Sequence, residues 1–429
     1  MRIAISEKNK KCPKYILKKI LLFSMIYIIT LLNTLVLGLF YPAFISKADE
    51  PNLKLYAKAA VLMDAASGRV LFQRNGDEQL AMASTTKIMT LIVTLENADL
   101  EDTVTVSSYA STMPDVQLNI REGEQYKLRD LTYSLMLESH NDSAVAIAEH
   151  VGGSVEQFAV LMNKKAKEIG CKNTYFITPN GLDATDKNGS HSTTAEDLAL
   201  IMSYCITKSP AKQQFLEITR TPSHSFTDLK GARSFSCTNH NAFLNMMPGA
   251  LSGKTGFTNK AGYCYVGALE RDGKTFVVAL LACGWPNHKT YKWSDTRCLM
   301  EYGLENYNFR SFSEAEIPKE ATELIKVNGA KGEKIDEPVY AEVKISDITS
   351  EENIPNIEGL LMNKDEKITV SLKRKKELAA PVKEGEKIGY ISYSVGNREW
   401  KKLDLVVGES KEQIDFEWCL KQILAYWLI

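Results

Sequence analysis

The chain has 429 residues, which is enough for two domains with a sizeable hydrophobic core. Its 52 basic and 53 acidic side chains leave a formal net charge of −1, and 44% of its residues are hydrophobic. This near-neutral, ordinary composition argues against nucleic acid as a partner.

The first 48 residues predict an export segment. Seven basic residues lie between positions 2 and 19 against a single acid, Glu7, and the run from 20 to 41 carries no charge. A basic flank followed by an apolar run is typical of an export signal, and Ser46-Lys47-Ala48 suits cleavage before Asp49. The apolar run could also span a bilayer, so an uncleaved anchor is the alternative. Either way, the positive flank should stay inside, which places the remaining chain on the outer face of the cytoplasmic membrane.

The eight cysteines are scattered, and neither C-x-x-C nor a His/Cys cluster at zinc spacing occurs. Cys12 precedes the export segment. The other seven form an odd set in a protein large enough not to need covalent cross-links. We therefore expect no disulfide framework, and we predict neither a metal site nor a cofactor.

Residues 60 to 96 predict a hairpin followed by a helix. The stretch from Ala60 to Phe72 reads as two short strands around the turn Ala66-Ser67-Gly68. Four apolar residues then recur at helical spacing: Ile88, Leu91, Ile92 and Leu95. A helix with one buried face therefore begins near Ser84 and Lys87, whose three-residue spacing places both side chains one turn apart on the same face.

Ser84 and Lys87 have residue types suited to acyl transfer. A serine hydroxyl needs a base, and a lysine can serve only if burial or nearby positive charge keeps it neutral part of the time. A helix N-terminus also offers N–H groups where an acyl oxyanion would form. The spacing alone is a weak signal, since Ser209-Pro210-Ala211-Lys212 repeats it by chance, and Ser84 could simply be a helix cap beside a solvated lysine.

Helices dominate the middle of the chain. One is predicted from Leu128 to Leu137, followed by a break at Ser139-His140-Asn141 and a second helix from about 142 to 152. Ser154 opens a third helix through a capping box, and Gly170 ends it. A fourth helix is capped at Thr193-Thr194 and runs to about residue 205. The stretch from there to Gly249 is predicted to be irregular.

Strands return at 263–270 and 275–283, joined by the hairpin turn Arg271-Asp272-Gly273, and residues 293–302 are predicted to be helical. Strands at both ends of a block of helices indicate an α+β domain over residues 49–310, whose sheet is closed by both ends of that segment.

The composition changes near Ser311. From 311 to 408, apolar and polar residues alternate between glycines and prolines, which predicts a small β-sandwich or barrel. Residues 409–429 end in an apolar helix that could lie at a membrane surface, and docking of this helix on the β domain is the alternative.

Three short motifs occur in order, each at a predicted element boundary: Ser84-x-x-Lys87, Ser139-His140-Asn141 and Lys254-Thr255-Gly256. At the helix break, the Ser139 hydroxyl can relay a proton and the Asn141 amide can bind a peptide group. The third motif begins a strand whose edge can pair with an extended peptide. Its lysine and threonine can hold a carboxylate, and its glycine permits close approach of a substrate backbone.

Together the motifs resemble those of penicillin-binding proteins and serine β-lactamases. The likeness is greatest to the low-molecular-weight D-alanyl-D-alanine carboxypeptidases. It rests on four stretches, at 60–95, 176–183, 193–199 and 254–263, within a resemblance that spans about residues 50–310. Residues 311–408 resemble the β-rich C-terminal domain of the same proteins, less specifically. His140 stands where many relatives carry glycine.

The resemblance implies a β-lactamase-like catalytic fold and a D-Ala-D-Ala carboxypeptidase that acts on peptidoglycan stem peptides and is covalently inhibited by β-lactams. It implies that Ser84 is the nucleophile, Lys87 the general base and Ser139 a proton relay. The substrate-binding residues would be Asn141, Lys254, Thr255, Gly256 and Phe257. Backbone N–H groups of Ser84 and Phe257 would form the oxyanion hole.

Other functions fit part of this pattern. A class A β-lactamase would need a glutamate in an E-x-x-L-N context, whereas Glu196 is followed by Asp197-Leu198-Ala199-Leu200. An endopeptidase that cuts cross-links, or a receptor that senses penicillin without turnover, would use the same residues, and both remain open. A non-enzymatic wall module would lack a key residue, and none is missing.

Overall fold

The computed structural model describes residues 53–346 and 357–427, so the predicted export segment lies outside the described residues. The first eleven strands in these ranges are β1 (Ala59–Asp64), β2 (Arg69–Arg74), β3 (Thr103–Thr105), β4 (Gln125–Lys127), β5 (Thr185–Asp186), β6 (Gly189–Ser190), β7 (Ser223–Thr227), β8 (Ser234–Thr238), β9 (Ala250–Thr258), β10 (Gly262–Arg271) and β11 (Lys274–Leu281). The first eight helices are α1 (Lys87–Asn97), α2 (Ser108–Ser111), α3 (Leu128–Leu137), α4 (Asn141–Gly152), α5 (Val155–Ile169), α6 (Ala195–Thr207), α7 (Lys212–Arg220) and α8 (Tyr291–Asn306).

One antiparallel sheet of five strands, in the order β2-β1-β11-β10-β9, supports the first domain. Strand β1 therefore pairs with β11 from the far end of the domain, so both ends of the segment close the sheet, as the sequence predicted. The predicted hairpin between β10 and β11 is also present. Its two turn residues, Asp272 and Gly273, both have positive φ, which matches the right-handed twist of the flanking strands.

Helix α1 lies inside the helical cluster and contacts α3, α4, α5, α6 and α7. Three of its four predicted apolar residues, Ile88, Leu91 and Ile92, are completely buried. The hydrophobic effect on this face fixes the helix, and with it the residues at its start. Ser154 and Thr194 cap their helices, since the Ser154 hydroxyl accepts from Gln157 N and the Thr194 hydroxyl from Asp197 N. Of the capping box predicted at Ser154, this is the bond that the structure shows.

The stretch from 206 to 249 is not irregular, and that prediction was wrong. It contains α7 and the β7–β8 hairpin. Helix α7 buries only Phe215, Ile218 and Thr219, and each hairpin strand buries a single residue, so the apolar periodicity is too sparse to see in the sequence. Lys254-Thr255-Gly256 likewise lies in the middle of β9 rather than at its start.

The second domain is all β, as predicted. Its strands are β12 (Asn308–Ser311), β13 (Ile325–Asn328), β14 (Tyr340–Ala341), β15 (Val343–Ser346), β16 (Gly359–Met362), β17 (Ile368–Arg374), β18 (Glu377–Ala379), β19 (Lys387–Val395) and β20 (Arg398–Val407). They surround a hydrophobic core of their own, which includes Phe312, Trp400 and Leu405. Arg69 is the first residue of β2. Its guanidinium donates to Leu361 O and to the Glu366 carboxylate, and these bonds join the two domains.

Helix α9 (Phe416–Trp427) follows the second domain, and no residue in it is buried. Phe416 and Trp427 have 82% and 84% of their surface exposed. Across the two described ranges, no helix is both long and apolar enough to cross a membrane.

Candidate active site

Ser84 lies on a 3-10 turn, Ala83–Thr86, and Lys87 is the first residue of α1. The Ser84 Oγ and Lys87 Nζ atoms are 3.1 Å apart. Lys87 is completely buried, and burial together with the positive charge of Lys254 lowers its pKa well below the ordinary value, against the opposing effect of Asp142. These surroundings favour the neutral form of lysine that a serine nucleophile requires.

The partners of Lys87 also orient its lone pair. Besides the Ser84 hydroxyl, Nζ contacts Asn141 Oδ1 at 2.9 Å and Asn180 O at 2.6 Å. Both of these are carbonyl oxygens, which can only accept. A neutral amine has two N–H groups, and these two acceptors take both. The lone pair of Lys87 is thus left facing Ser84 Oγ, which is the geometry for removing the hydroxyl proton.

The Asn141 amide is held in one orientation by a loop. Its Nδ2 donates to Pro114 O at 3.1 Å and to Asp115 O at 3.0 Å, so Oδ1 must face Lys87. The Asn141 backbone N–H donates to Val116 O as well. Both amide hydrogens are therefore already used. In the structure, Asn141 contacts Lys87 and the loop, and substrate binding by Asn141 stays a prediction from the sequence.

Ser139 stands at the predicted break, between α3 and α4, with φ of +69°. Few residues other than glycine adopt this conformation, and such strain is common at functional sites. The Ser139 hydroxyl oxygen is buried and has no hydrogen-bond partner in the structure. A buried hydroxyl without a partner is unfavourable by about 1–3 kcal/mol, which suits a group that completes its bonds only with substrate present.

Lys254 is buried on β9, and its Nζ donates to Thr255 O at 3.2 Å. Burial lowers its pKa to about 7, although the nearby Glu138 carboxylate opposes this shift. Lys254 is therefore partly charged near neutral pH. The structure does not connect it to Ser139 or Ser84 by a hydrogen bond.

Strand β9 is the edge of the sheet and lies against the nucleophile. A Cβ built on Gly256 would be 2.8 Å from Ser84 N, so only glycine leaves the space in front of this amide open.

The direction of the Phe257 N–H follows from the pairing of its neighbour on β10. The Tyr263 backbone on β10 pairs with Gly284 O and Cys283 N on the far side. Because antiparallel pairing alternates, its register partner Phe257 directs its N–H to the free edge of β9. The N–H groups of Ser84 and Phe257 thus lie on facing segments, as an oxyanion hole requires.

Residues 176–183 carried part of the family resemblance, but sequence reasoning gave this segment no role in the site. Residues 177–182 lie against the turn that carries Ser84, where Asn180 supplies an acceptor to Lys87 and Thr90 Oγ1 donates to Pro179 O. A Cβ on Gly181, which has φ of +87°, would be 2.0 Å from Ala83 O. The Pro-Asn-Gly run was visible in the sequence, but nothing in it indicated contact with a lysine 93 residues away.

No group of His, Cys, Asp and Glu side chains within residues 53–346 and 357–427 is arranged to hold a metal ion. The seven cysteines in the same ranges are all free thiols.

The sheet and helix cluster, with Ser-x-x-Lys on the central helix and Lys-Thr-Gly on the facing edge strand, define a serine acyl-transfer enzyme of the penicillin-binding class. Comparison with known proteins leads to the family. Residues 45–282 match the family model described as D-alanyl-D-alanine carboxypeptidase, and residues 360–413 match that of the penicillin-binding protein 5 C-terminal domain. The chain belongs to the D-alanyl-D-alanine carboxypeptidase family of serine peptidases.

Three similar proteins support this conclusion. D-alanyl-D-alanine carboxypeptidase DacF of Bacillus subtilis is 28% identical over 92% of this chain and 98% of its own. DacB2 of Mycobacterium tuberculosis is 33% identical over 58% and 82%, respectively. The crystal structure of penicillin-binding protein 5 from Haemophilus influenzae, 24% identical, covers 84% of this chain and 99% of its own with a TM-score of 0.63, and shows the shared fold. The predicted family, fold class and enzyme class are confirmed.

Proposed function

We propose that the chain removes the terminal D-alanine from peptidoglycan stem pentapeptides, with Ser84 as nucleophile and Lys87 as general base. One observation carries this assignment. The two carbonyl acceptors on Lys87 leave the lone pair of the neutral amine to Ser84 alone, and burial lowers the pKa of Lys87, which favours that neutral form.

In the first step, Ser84 Oγ attacks the carbonyl carbon of the penultimate D-alanine while its proton passes to Lys87. The carbonyl oxygen becomes an anion between the N–H groups of Ser84 and Phe257. When the peptide C–N bond breaks, the departing D-alanine nitrogen takes up a proton. Ser139 is suited to relay that proton from Lys87, since its buried hydroxyl has no hydrogen-bond partner in the structure and is free to bond when substrate is present.

In the second step, water attacks the acyl-enzyme ester, the C–Oγ bond breaks and Ser84 regains its proton. The products are free D-alanine and a stem peptide shortened by one residue. A β-lactam would acylate Ser84 in the same way, but its ring-opened product stays tethered near the site. We therefore expect stable covalent labelling by penicillin.

Substrate binding uses the free edge of β9. An extended peptide can pair with this edge through the outward backbone groups of Phe257 and Thr255, by β-strand addition. Lys254 and the Thr255 hydroxyl supply positive charge and a hydrogen bond for the terminal carboxylate. Asn141 acts on this reaction through Lys87, because its own donors are taken by the loop.

The proposed location is the outer face of the cytoplasmic membrane, supported by the basic and apolar N-terminal sequence. Helix α9 supports contact with the membrane surface, since its large apolar residues recur on one exposed face: Phe416, Leu420, Ile423, Leu424 and Trp427. Protein lacking residues 1–48 should sediment with phosphatidylglycerol vesicles. The double substitution Leu420→Ser with Leu424→Ser should release it, whereas Gln422→Ser should not. Equal sedimentation of all three proteins would contradict membrane contact by this helix.

The activity itself is tested with the full chain in detergent and a synthetic peptide ending in D-Ala-D-Ala. Released D-alanine together with a lasting fluorescent-penicillin adduct is expected, and Ser84→Ala should abolish both. Penicillin turnover without D-alanine release would instead indicate a β-lactamase. Stable labelling without release from this peptide would favour an endopeptidase or a sensor, and labelling of Ser84→Ala would refute the nucleophile.

A further inference from the structure

A buried histidine, His191, makes a hydrogen bond to the turn Ala83–Thr86, which carries the nucleophile. His191 precedes α6 and has 3% of its surface exposed. Its Nδ1 accepts from two backbone N–H groups, those of Ile177 at 3.0 Å and Thr178 at 3.3 Å. Since two donors converge on Nδ1, this nitrogen carries no proton. The ring is therefore neutral, and its single proton is on Nε2.

The Nε2 proton begins a chain of hydrogen bonds toward Ser84. Nε2 of His191 donates to Thr86 Oγ1 at 2.9 Å, and the Thr86 hydroxyl donates to Ala83 O at 2.8 Å. The polarity of every bond is fixed, because the ring tautomer is set at one end and a carbonyl can only accept at the other. Aligned hydrogen bonds of this kind polarise one another.

The chain ends on a peptide group that takes part in the reaction. Ala83 O belongs to the same peptide unit as Ser84 N, which is one of the two proposed oxyanion donors. The two atoms face opposite sides: a Cβ on Gly181 would meet Ala83 O at 2.0 Å, and one on Gly256 would meet Ser84 N at 2.8 Å. Ala83 has φ of +48°, which few residues other than glycine adopt, so the orientation of this peptide needs outside support.

We infer that His191 is a positioning residue for acyl transfer, which acts through Thr86 to orient and polarise the Ala83–Ser84 peptide so that its N–H serves the oxyanion. A donor to a peptide carbonyl draws electron density from the amide and strengthens its N–H as a donor. The effect on rate would therefore arise in the acylation step, where the oxyanion forms, and hardly at all in prior binding. This inference rests on the proposed function.

Four single substitutions test the series of hydrogen bonds from His191 through Thr86 to Ala83 O. His191→Asn keeps an acceptor near the Nδ1 position but does not reach Thr86. Thr86→Val removes the hydroxyl with little change in volume, and Thr86→Ser restores it. Thr94→Val is the matched control. Thr94 is a completely buried threonine of α1, the helix that follows the turn, and its hydroxyl donates within that helix to Thr90 O.

The measurement is single-turnover acylation of the full chain by a fluorescent penicillin over a range of concentrations. It separates the limiting acylation rate from the dissociation constant of the first complex. His191→Asn and Thr86→Val should each lower the limiting rate about tenfold, with the dissociation constant changed less than twofold. Thr86→Ser and Thr94→Val should stay within threefold of the unsubstituted chain.

The double variant of His191→Asn with Thr86→Val decides between positioning and general damage. If both residues act through the same series of hydrogen bonds, the double substitution should lower the limiting acylation rate no more than either single substitution. Unrelated effects on the rate would multiply. A limiting rate of Thr86→Val within twofold of the unsubstituted chain would overturn the inference, as would multiplying effects. If His191→Asn fails to fold, the Thr86 pair and Thr94→Val decide alone. Failure of the unsubstituted chain to acylate would refute the proposed function itself, and this inference with it.

Discussion

Replacing Asn141 by aspartate changes one atom type at the centre of the site and predicts a specific kinetic signature. Asn141 Oδ1 accepts from Lys87 Nζ at 2.9 Å, while Nδ2 donates to two loop carbonyls. In Asn141→Asp the contact with Lys87 becomes an ion pair, and the two loop carbonyls of Pro114 and Asp115 lose their donor. The lysine ammonium is then favoured over the neutral amine that the reaction needs.

The size of the effect follows from the burial of the pair. An opposite charge within about 4–6 Å shifts a pKa by about 1–3 units, and Lys87 is completely buried. Once the pKa of Lys87 exceeds the assay pH, each further unit lowers the neutral fraction tenfold. Acylation at pH 7 should therefore fall by up to about 10³-fold. It should recover tenfold per pH unit on going to alkaline pH, because the base is suppressed rather than lost.

The assay is the second-order rate of fluorescent-penicillin labelling between pH 6 and 10. Asn141→Leu is the control, since it loses the same hydrogen bonds without adding a charge, and its slower labelling should not recover with pH. An Asn141→Asp protein that labels at the unsubstituted rate at pH 7 would refute the role of Asn141 in controlling Lys87. A loss that does not recover at high pH would refute the assignment of Lys87 as base.

Three further predictions follow from the same contacts. Gly256→Ala should place a methyl group against Ser84 N and slow labelling about 10²- to 10³-fold, the usual effect of losing one oxyanion donor; labelling within threefold would contradict this. Lys254→Met should abolish D-alanine release yet stabilise the fold. The pKa of Lys254 is about 7 in the folded protein and about 10 in the unfolded chain, so between pH 7 and 10 only the unfolded chain keeps the lysine proton. The gain in unfolding free energy, up to about 4 kcal/mol at and below pH 7, should vanish as the pH rises to 10, and urea unfolding at several pH values measures it. Burial lowers the pKa of His191 to about 4, so the unfolded chain binds a proton first as the pH falls from 6.5 to 4. Urea unfolding should show the unsubstituted protein losing about 2–3 kcal/mol more than His191→Asn between pH 7 and 4.5, and equal losses would show that His191 is not held neutral.

The sequence predicted well wherever the signal was local. The apolar spacing of Ile88, Leu91 and Ile92 reports burial of one helix face, and the Asp272-Gly273 turn reports the twist of two strands. Both depend on residues a few positions apart. By contrast, α7 and the β7–β8 hairpin bury so few side chains that their pattern is lost among polar residues. Their formation depends on packing against elements that are distant in sequence.

The site residues divide in the same way. Ser84, Lys87 and Asn141 could be named because their motifs are compact, but the use of each side chain also depends on contacts between motifs and with residues outside them. Lys87 points its lone pair at Ser84 only because Asn180 O and Asn141 Oδ1 accept its two protons. Asn141 in turn faces Lys87 only because a loop takes its amide hydrogens. The sequence therefore identified the catalytic groups, whereas their direction also depends on backbone carbonyls distant along the chain. These are Asn180 O, 93 residues from Lys87, and Pro114 O and Asp115 O, 27 and 26 residues from Asn141. Nearly any residue type could supply such an oxygen, so no motif reveals it.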